Sequence, residues 1–123
     1  MIDNEITECI LRSAFKVHTA IGPGLLESSY RECLFYEMQN EGLYVEKEKR
    51  MPLIYRDVTL DIGYKIDLIV EEKVIVEIKT VDAFHDIHLA QILTYMRLSS
   101  CRVGLLLNFK TTSLNKGIKR VVL

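Results

Sequence analysis

The first forty residues contain two segments in which apolar residues recur at helical spacing. Between residues 2 and about 21, apolar side chains recur at the spacing of one stripe on an amphipathic helix. Gly22-Pro23-Gly24 interrupts this pattern. A second stripe follows over residues 26–38 and ends before Gly42, a residue typical of the position just past a helix end. The chain is therefore predicted to begin with two helices.

The period of the pattern then changes to two, and β-branched and aromatic residues dominate from residue 45 onward. Breaks at Arg56-Asp57 and at Glu71-Glu72-Lys73 predict three antiparallel strands, near residues 50–56, 58–70 and 74–80. The remaining elements are a third helix over about residues 82–99, a strand buried on both faces at 102–109 and a short strand at 118–123.

The predicted order is α-α-β-β-β-α-β-β. Helices packed on a mixed, hairpin-rich sheet bury the apolar faces of such elements, so the fold class is α/β in the loose sense, that is, α+β. A length of 123 residues suits one domain, residues 1–123, with a single core.

Composition and charge narrow the class of protein. The chain is 49% hydrophobic and 27% charged, which is typical of a folded globular protein. It contains no apolar run of membrane-spanning length and no secretion-signal pattern at its start, so we expect a cytoplasmic protein without a membrane partner. Three cysteines, Cys9, Cys33 and Cys101, lie within apolar patterns and are expected to be reduced core residues.

The net charge of −1 gives no bulk attraction to a polyanion, so any contact with nucleic acid must be local. Two groups of basic residues are either such local patches or solvated surface. They are Lys47, Lys49 and Arg50, and Lys110, Lys116, Lys119 and Arg120.

The predicted strands at 58–70 and 74–80 bring charged side chains together. Side chains alternate along a strand, so Glu77 and Lys79 share a face, and Asp67 and Lys65 share a face of the preceding strand. The reverse of that preceding strand is predicted to be one apolar face, formed by Tyr64, Ile66, Leu68 and Val70.

The loop between these strands sets their register. If Glu71-Glu72-Lys73 is a three-residue loop, Val70 pairs with Val74 and Asp67 falls opposite Glu77. Opposite partners have Cβ atoms about 5 Å apart, and two carboxylates at that distance repel unless a cation lies between them.

Two interpretations of this pair remain open. A divalent metal would satisfy both carboxylates, with Lys79 placed to bind phosphate or to orient a water. Alternatively, Asp67 and Glu77 lie on a solvated face and pair with Lys65 and Lys79 across the strands.

Three motifs resemble known families. Asp67, nine further residues and then Glu77-Ile78-Lys79, on two strands followed by a helix, resemble the core motif of the PD-(D/E)XK nuclease superfamily, with Ile66 in place of its proline. Gln91-Ile92-Leu93-Thr94-Tyr95 resembles the Q-x-x-x-Y motif of RecB-type exonuclease domains. Gly24-Leu25-Leu26-Glu27-Ser28-Ser29-Tyr30 resembles the motif of the GxxExxY family, which belongs to the superfamily, and this likeness covers nearly the whole chain.

The resemblance implies a restriction-endonuclease-like core and a Mg²⁺ or Mn²⁺ site. Asp67, Glu77 and the main-chain carbonyl of Ile78 would be ligands, and Lys79 would hold the attacking water or stabilise charge on the phosphorus. Glu27 would be a third ligand, directly or through water. Its alternative role is that of a first-turn carboxylate favourable to the helix dipole.

The same resemblance implies a substrate-binding helix. Gln91 and Tyr95 would line the cleft, and His88, one turn earlier, could donate to phosphate. Tyr95 is alternatively a core aromatic of an amphipathic helix.

The functions that follow are of two classes. The first is a metal-dependent nuclease that hydrolyses phosphodiester bonds, with DNA favoured over RNA as the partner. The second is a non-catalytic module that uses the same fold to bind nucleic acid or a protein. In either case a homodimer or a larger assembly is a further possibility.

Overall fold

The computed structural model describes all 123 residues. The elements are α1 (Asp3–Ile21), α2 (Glu27–Asn40), β1 (Val45–Tyr55), β2 (Val58–Val70), β3 (Val74–Lys79), α3 (Asp86–Ser99), β4 (Val103–Asn108), a 3-10 turn (Leu114–Gly117) and β5 (Ile118–Val122). The predicted order of helices and strands is confirmed. Two boundaries differ from the prediction, because β1 begins at Val45 rather than near residue 50 and α3 begins at Asp86 rather than near residue 82.

The five strands form one mixed sheet in chain order, β1-β2-β3-β4-β5. Neighbouring strands are antiparallel except β3 and β4, which are parallel and are connected through α3. This arrangement confirms the predicted α+β class with a restriction-endonuclease-like layout of sheet and helices.

The sheet has a hydrophobic cluster on each face. The larger cluster joins α1 and α2 to one face, through residues such as Ile10, Leu34 and Val76. The smaller cluster joins α3 to the other face, through residues such as Ile75, Ile92 and Met96. β3 and β4 are buried on both sides, which explains the continuous apolar run of β4 and the apolar start of β3.

Helix α3 approaches the sheet closely at Gly104 of β4. A Cβ atom at this position would lie 2.9 Å from both Ile92 Cδ1 and Met96 Sδ, so glycine is what allows the close contact. The absent side chain thus sets the distance between α3 and the sheet at the start of β4.

One predicted face of β2 is wrong. Leu68 and Val70 pack on the α1 and α2 side as expected, but Ile66 packs in the cluster beneath α3, and the Tyr64 ring lies beside Tyr95 of α3. The alternation changes at Asp67, where Glu48 of the neighbouring strand has a φ of 50° and the regular pairing of β1 with β2 is interrupted. The pairs on either side, Lys47 with Leu68 and Lys49 with Ile66, keep one register, so the change of face is local to Asp67 and Glu48.

Beyond this point β1 and β2 continue as a hairpin that no third strand covers, which we call the distal hairpin (residues 51–64). Its pairing changes register between Met51 and Leu53, at Pro52, and Gly63 has a φ of 85°. Proline donates no N–H, so a bulge opposite Pro52 costs no ladder hydrogen bond on that strand. Leu53 and Tyr64 of this hairpin face α3.

All three cysteines are free thiols. Cys9 and Cys101 are buried and Cys33 packs against the larger cluster, as their positions in apolar patterns predict. No helix has the length and hydropathy needed to cross a membrane.

Candidate active site

The carboxylates of Asp67 and Glu77 lie where β2 and β3 separate. The backbone ladder pairs Val70 with Val74 and ends at Leu68 and Val76, which is the register that the three-residue loop predicts. Past that point the carboxylates of Asp67 and Glu77, rather than backbone carbonyls, accept the hydrogen bonds between the strands. Glu77 Oε2 accepts a hydrogen bond from Asp67 N at 2.8 Å, and Asp67 Oδ2 accepts one from Ile78 N at 2.8 Å. We call this gap between the strands the seam.

The surroundings of the seam favour the protonated forms of Asp67 and Glu77. Glu77 is 3% exposed. Burial, and after it the charge of Asp67, raises the pKa of Glu77 to about 8. Burial also raises the pKa of Asp67, while the hydrogen bond from Ile78 and the charge of Lys79 oppose that rise. The alternative of a solvated face with simple cross-strand ion pairs is therefore wrong for Glu77.

Lys79 is the last residue of β3, on the α3 side of the seam. Its Nζ donates to Gln91 Oε1 of α3 at 2.7 Å. Tyr95, one turn further along α3, is 5% exposed. Burial, followed by the charges of Glu77 and Asp67, raises the pKa of Tyr95. Gln91 and Tyr95 therefore lie beside the carboxylates, and Tyr95 is at the same time part of the core.

Glu27 lies at the carboxyl end of β3. It is the first residue of α2, and its Oε2 accepts a hydrogen bond from Thr80 N at 3.1 Å. Its charge contributes to raising the pKa of both Asp67 and Glu77, so it lies within electrostatic reach of the seam. The side chain is exposed, as suits a residue at the mouth of the cleft.

The glycine loop before α2 is held by Tyr30. Gly22 and Gly24 have φ values of 68° and 103°, a region that favours glycine. The Tyr30 hydroxyl donates to Gly22 O at 2.6 Å and accepts from Leu25 N at 3.2 Å. Its ring stacks on Phe109 with centroids 4.5 Å apart. The spacing of glycine, glutamate and tyrosine in this motif thus has a structural cause, since tyrosine fixes the loop from which Glu27 projects.

We expect Tyr30→Phe to lower the unfolding free energy by about 1–2 kcal/mol, because the loop groups of Gly22 and Leu25 lose a partner while the ring still packs. Tyr36→Phe is the matched control, since Tyr36 is an exposed tyrosine of the same helix. Urea denaturation of both variants measures the difference. Equal stabilities would show that the hydroxyl does not hold the loop.

Arg31 is a site residue that the sequence did not reveal. It lies one turn after Glu27 on α2, and its side chain is 17% exposed. Its guanidinium is 4.0 Å from Asp67 Oδ1 and 3.3 Å from Glu48 Oε1. A motif search limited to carboxylates and lysine passes over it, although the helical spacing from Glu27 could have identified it.

Asn108 is a second such residue. It ends β4 opposite Lys79 and is 2% exposed. Its Nδ2 donates to Val81 O at 2.8 Å, and its Oδ1 accepts from Val81 N and Lys110 N. It therefore fixes the chain that leaves the seam. The only signal in the sequence was a polar residue at the end of a run of leucines.

His88 is not brought to the seam by any hydrogen bond or ion pair. Its Nδ1 accepts from His85 N at 3.0 Å, and its ring lies against Phe84 with centroids 6.1 Å apart. The side chain thus closes the first turn of α3. A donor role toward phosphate stays a prediction.

All three residues of the first basic group form ion pairs, whereas only Lys110 of the second group does. Lys47 pairs with Glu32, Lys49 with Glu46, Arg50 with Asp61 and Lys110 with Asp82. These contacts favour the interpretation of ordinary charged surface over that of a dedicated basic patch.

The donor set at the seam fits a hard divalent cation. No three His, Cys, Asp or Glu side chains lie close enough together to hold a metal, so Asp67 and Glu77 form a set of two. Mg²⁺ is commonly held by one or two carboxylates and keeps several waters. Each carboxylate uses one oxygen for a main-chain N–H, so the other oxygen of each would bind a cation, and at Asp67 this oxygen also lies 4.0 Å from the Arg31 guanidinium.

An open, mixed sheet with two acids and a lysine at the end of adjacent strands defines a nuclease-like α+β protein. A sequence profile of the PD-(D/E)XK nuclease superfamily matches residues 4–121, nearly the whole chain. The chain belongs to this superfamily. No curated protein and no solved structure matched it.

Proposed function

We propose that the protein is a metal-dependent nuclease that hydrolyses phosphodiester bonds of nucleic acid. The observation that carries the proposal is the seam, where the buried Glu77 and the half-buried Asp67, both with raised pKa values, lie near Lys79. Burial of such a pair without a cation costs free energy, so a structural role alone is a poor explanation for it.

In this proposal Asp67, Glu77 and the carbonyl of Ile78 hold Mg²⁺ or Mn²⁺, and Glu27 reaches the ion through water. A bound divalent ion stabilises negative charge on phosphate oxygens and lowers the pKa of water. Lys79, held by Gln91, orients the attacking water or stabilises the charge that develops on the phosphate. Gln91, Tyr95 and His88 contact the substrate strand.

A second candidate is a non-catalytic module that binds nucleic acid or protein through the same fold. Two observations favour it. The side chains form no three-ligand metal cluster, and the basic residues of β1 that precede the distal hairpin are engaged in ion pairs, namely Lys47, Lys49 and Arg50.

The proposal also covers the family within the superfamily, the localisation, the domain organisation and the partner. Membership of the GxxExxY family is supported by the positive φ of Gly24, by the bonds of Tyr30 to the glycine loop and by the bond of Glu27 to Thr80. Free, buried cysteines are in keeping with a cytoplasmic protein. Residues 1–123 would form one domain, because both hydrophobic clusters share one sheet. DNA is proposed in preference to RNA, and a homodimer or a larger assembly would supply further affinity.

The test combines cleavage with metal binding. Wild type and Asp67→Asn are incubated with end-labelled single- and double-stranded DNA and RNA across a titration of Mn²⁺ and of Mg²⁺. We expect cleavage by the wild type only, and a rise in its melting temperature equivalent to about 2.7 kcal/mol at a hundredfold excess of metal over Kd. Absence of both cleavage and stabilisation in the wild type would favour the non-catalytic module.

A further inference from the structure

An apolar cavity of about 310 Å³ lies between the distal hairpin and α3. This volume is at the lower end of the range for small-molecule sites. The hairpin contributes Leu53 and Tyr64, and α3 contributes Ile87, Gln91, Thr94 and Tyr95. We call it the hairpin cavity. Leu53 and Tyr64 lie two residues from Met51 and Ile66, which pack in the cluster beneath α3, so strand alternation turns them toward the helix.

The hairpin cavity adjoins the seam through shared residues. Gln91 lines the cavity and also accepts the hydrogen bond from Lys79. Tyr95 forms part of the wall, and the charges of Glu77 and Asp67 contribute to its raised pKa. A molecule that reached both places would present a charged group to Lys79 and a flat or apolar group to the cavity.

The walls suit an aromatic ring. The Tyr64 ring stands at 67° to that of Tyr95, with centroids 6.5 Å apart. Tyr95 is buried and forms the floor, whereas Tyr64 is 41% exposed and offers a ring face. Ile87 is 71% exposed and forms an apolar rim. The amide of Gln91 and the hydroxyl of Thr94 supply polar atoms for the edge of a heterocycle.

We propose that the hairpin cavity binds one unpaired nucleobase of the strand whose phosphate lies at the seam. This inference rests on the proposed function and names its substrate class as single-stranded nucleic acid. A base in a duplex is covered by its stacking neighbours and its partner, whereas an unpaired base offers both faces for stacking on tyrosine.

Binding without cleavage provides the test. Fluorescence anisotropy in Ca²⁺ gives Kd for a short labelled single strand, for the same strand with one abasic position, and for the duplex, as DNA and as RNA. We expect the intact single strand to bind at least roughly tenfold more tightly than the duplex or the abasic strand. This is the range of one base stacked on an aromatic side chain.

Tyr64→Ala is expected to weaken binding of the intact strand roughly tenfold and to abolish the difference between the intact and abasic strands. Tyr55→Ala, a tyrosine near the tip of the same hairpin and outside the cavity, is the matched control and should bind as the wild type does. Tyr64→Phe keeps the ring and should preserve the preference.

Equal affinity for single strand and duplex, an abasic strand that binds as well as the intact one, or equal losses in Tyr64→Ala and Tyr55→Ala would each overturn the inference. So would a lack of binding to the single strand. Cleavage in Mn²⁺ is scored separately on the same strands. Cleavage without dependence on the base overturns this inference alone, whereas base-dependent binding without cleavage supports it and overturns the nuclease.

Discussion

Without metal, the wild type is expected to lose stability as the pH rises from about 5 to about 8. Glu77 has a pKa near 8 in the folded protein against an ordinary value of 4.5, so between these values the folded state binds a proton that the unfolded chain has released. The stability from this proton is fully present below the unfolded pKa and is lost as the pH rises through the folded pKa. The loss is on the order of a few kcal/mol, or roughly 10 °C in Tm.

Glu77→Gln should remove most of this pH dependence and should melt at a higher temperature than the wild type at pH about 8. Glutamine keeps an oxygen that can accept from Asp67 N but carries no charge. A smaller slope should remain, because the pKa of Asp67 is also raised. Thermal melts in EDTA over a pH series measure the effect.

Glu72→Gln is the matched control, since Glu72 is an exposed glutamate in the turn between β2 and β3. Its pH profile should follow that of the wild type. Parallel profiles for the wild type and Glu77→Gln would contradict the assignment of the proton to the seam.

Lys79→Ala is expected to lower the cleavage rate by about 10²- to 10³-fold, which is the usual effect of removing one group that stabilises developing charge. Stabilisation by Mn²⁺ should survive, because Asp67 and Glu77 are both present. Asp67→Asn should lose cleavage and metal stabilisation together. Nuclease assays and melts with and without Mn²⁺ on the same samples separate these outcomes.

Lys65→Ala is the control for loss of a lysine, since Lys65 is exposed on β2 close to the seam. It should retain nearly full activity. A rate for Lys79→Ala within tenfold of the wild type would mean that Lys79 serves only to hold Gln91 and the position of α3.

The elements and their order could be predicted because each has a strong local pattern. The register at the seam was also accessible, since the length of the loop at Glu71-Glu72-Lys73 decides it. The period changes to two at residue 45, where β1 starts, but the strand itself was predicted only from near residue 50. Its first residues, Val45-Glu46-Lys47, form a charged alternation that becomes a strand by pairing with the buried end of β2.

The face of Ile66 and the start of α3 depend on contacts distant in sequence. The side chains of β2 change faces at Asp67, beside the irregular residue Glu48 of β1, and no periodicity in β2 itself records this change. The residues before α3 stay non-helical while Asn108 binds Val81 and Lys110 pairs with Asp82. Arg31 was missed for the same reason, because its partner Asp67 is brought near only by the fold.

The seam also has a consequence for amide hydrogen exchange. The N–H groups of Asp67 and Ile78 are bonded to side-chain carboxylates, whereas their neighbours along β2 and β3 are bonded within the backbone ladder. A side chain can rotate away without separating the strands, so these two amides can exchange with solvent by a small local opening. Their protection therefore follows the state of the two carboxylates rather than the stability of the sheet, and exchange at these two positions reports on the seam alone.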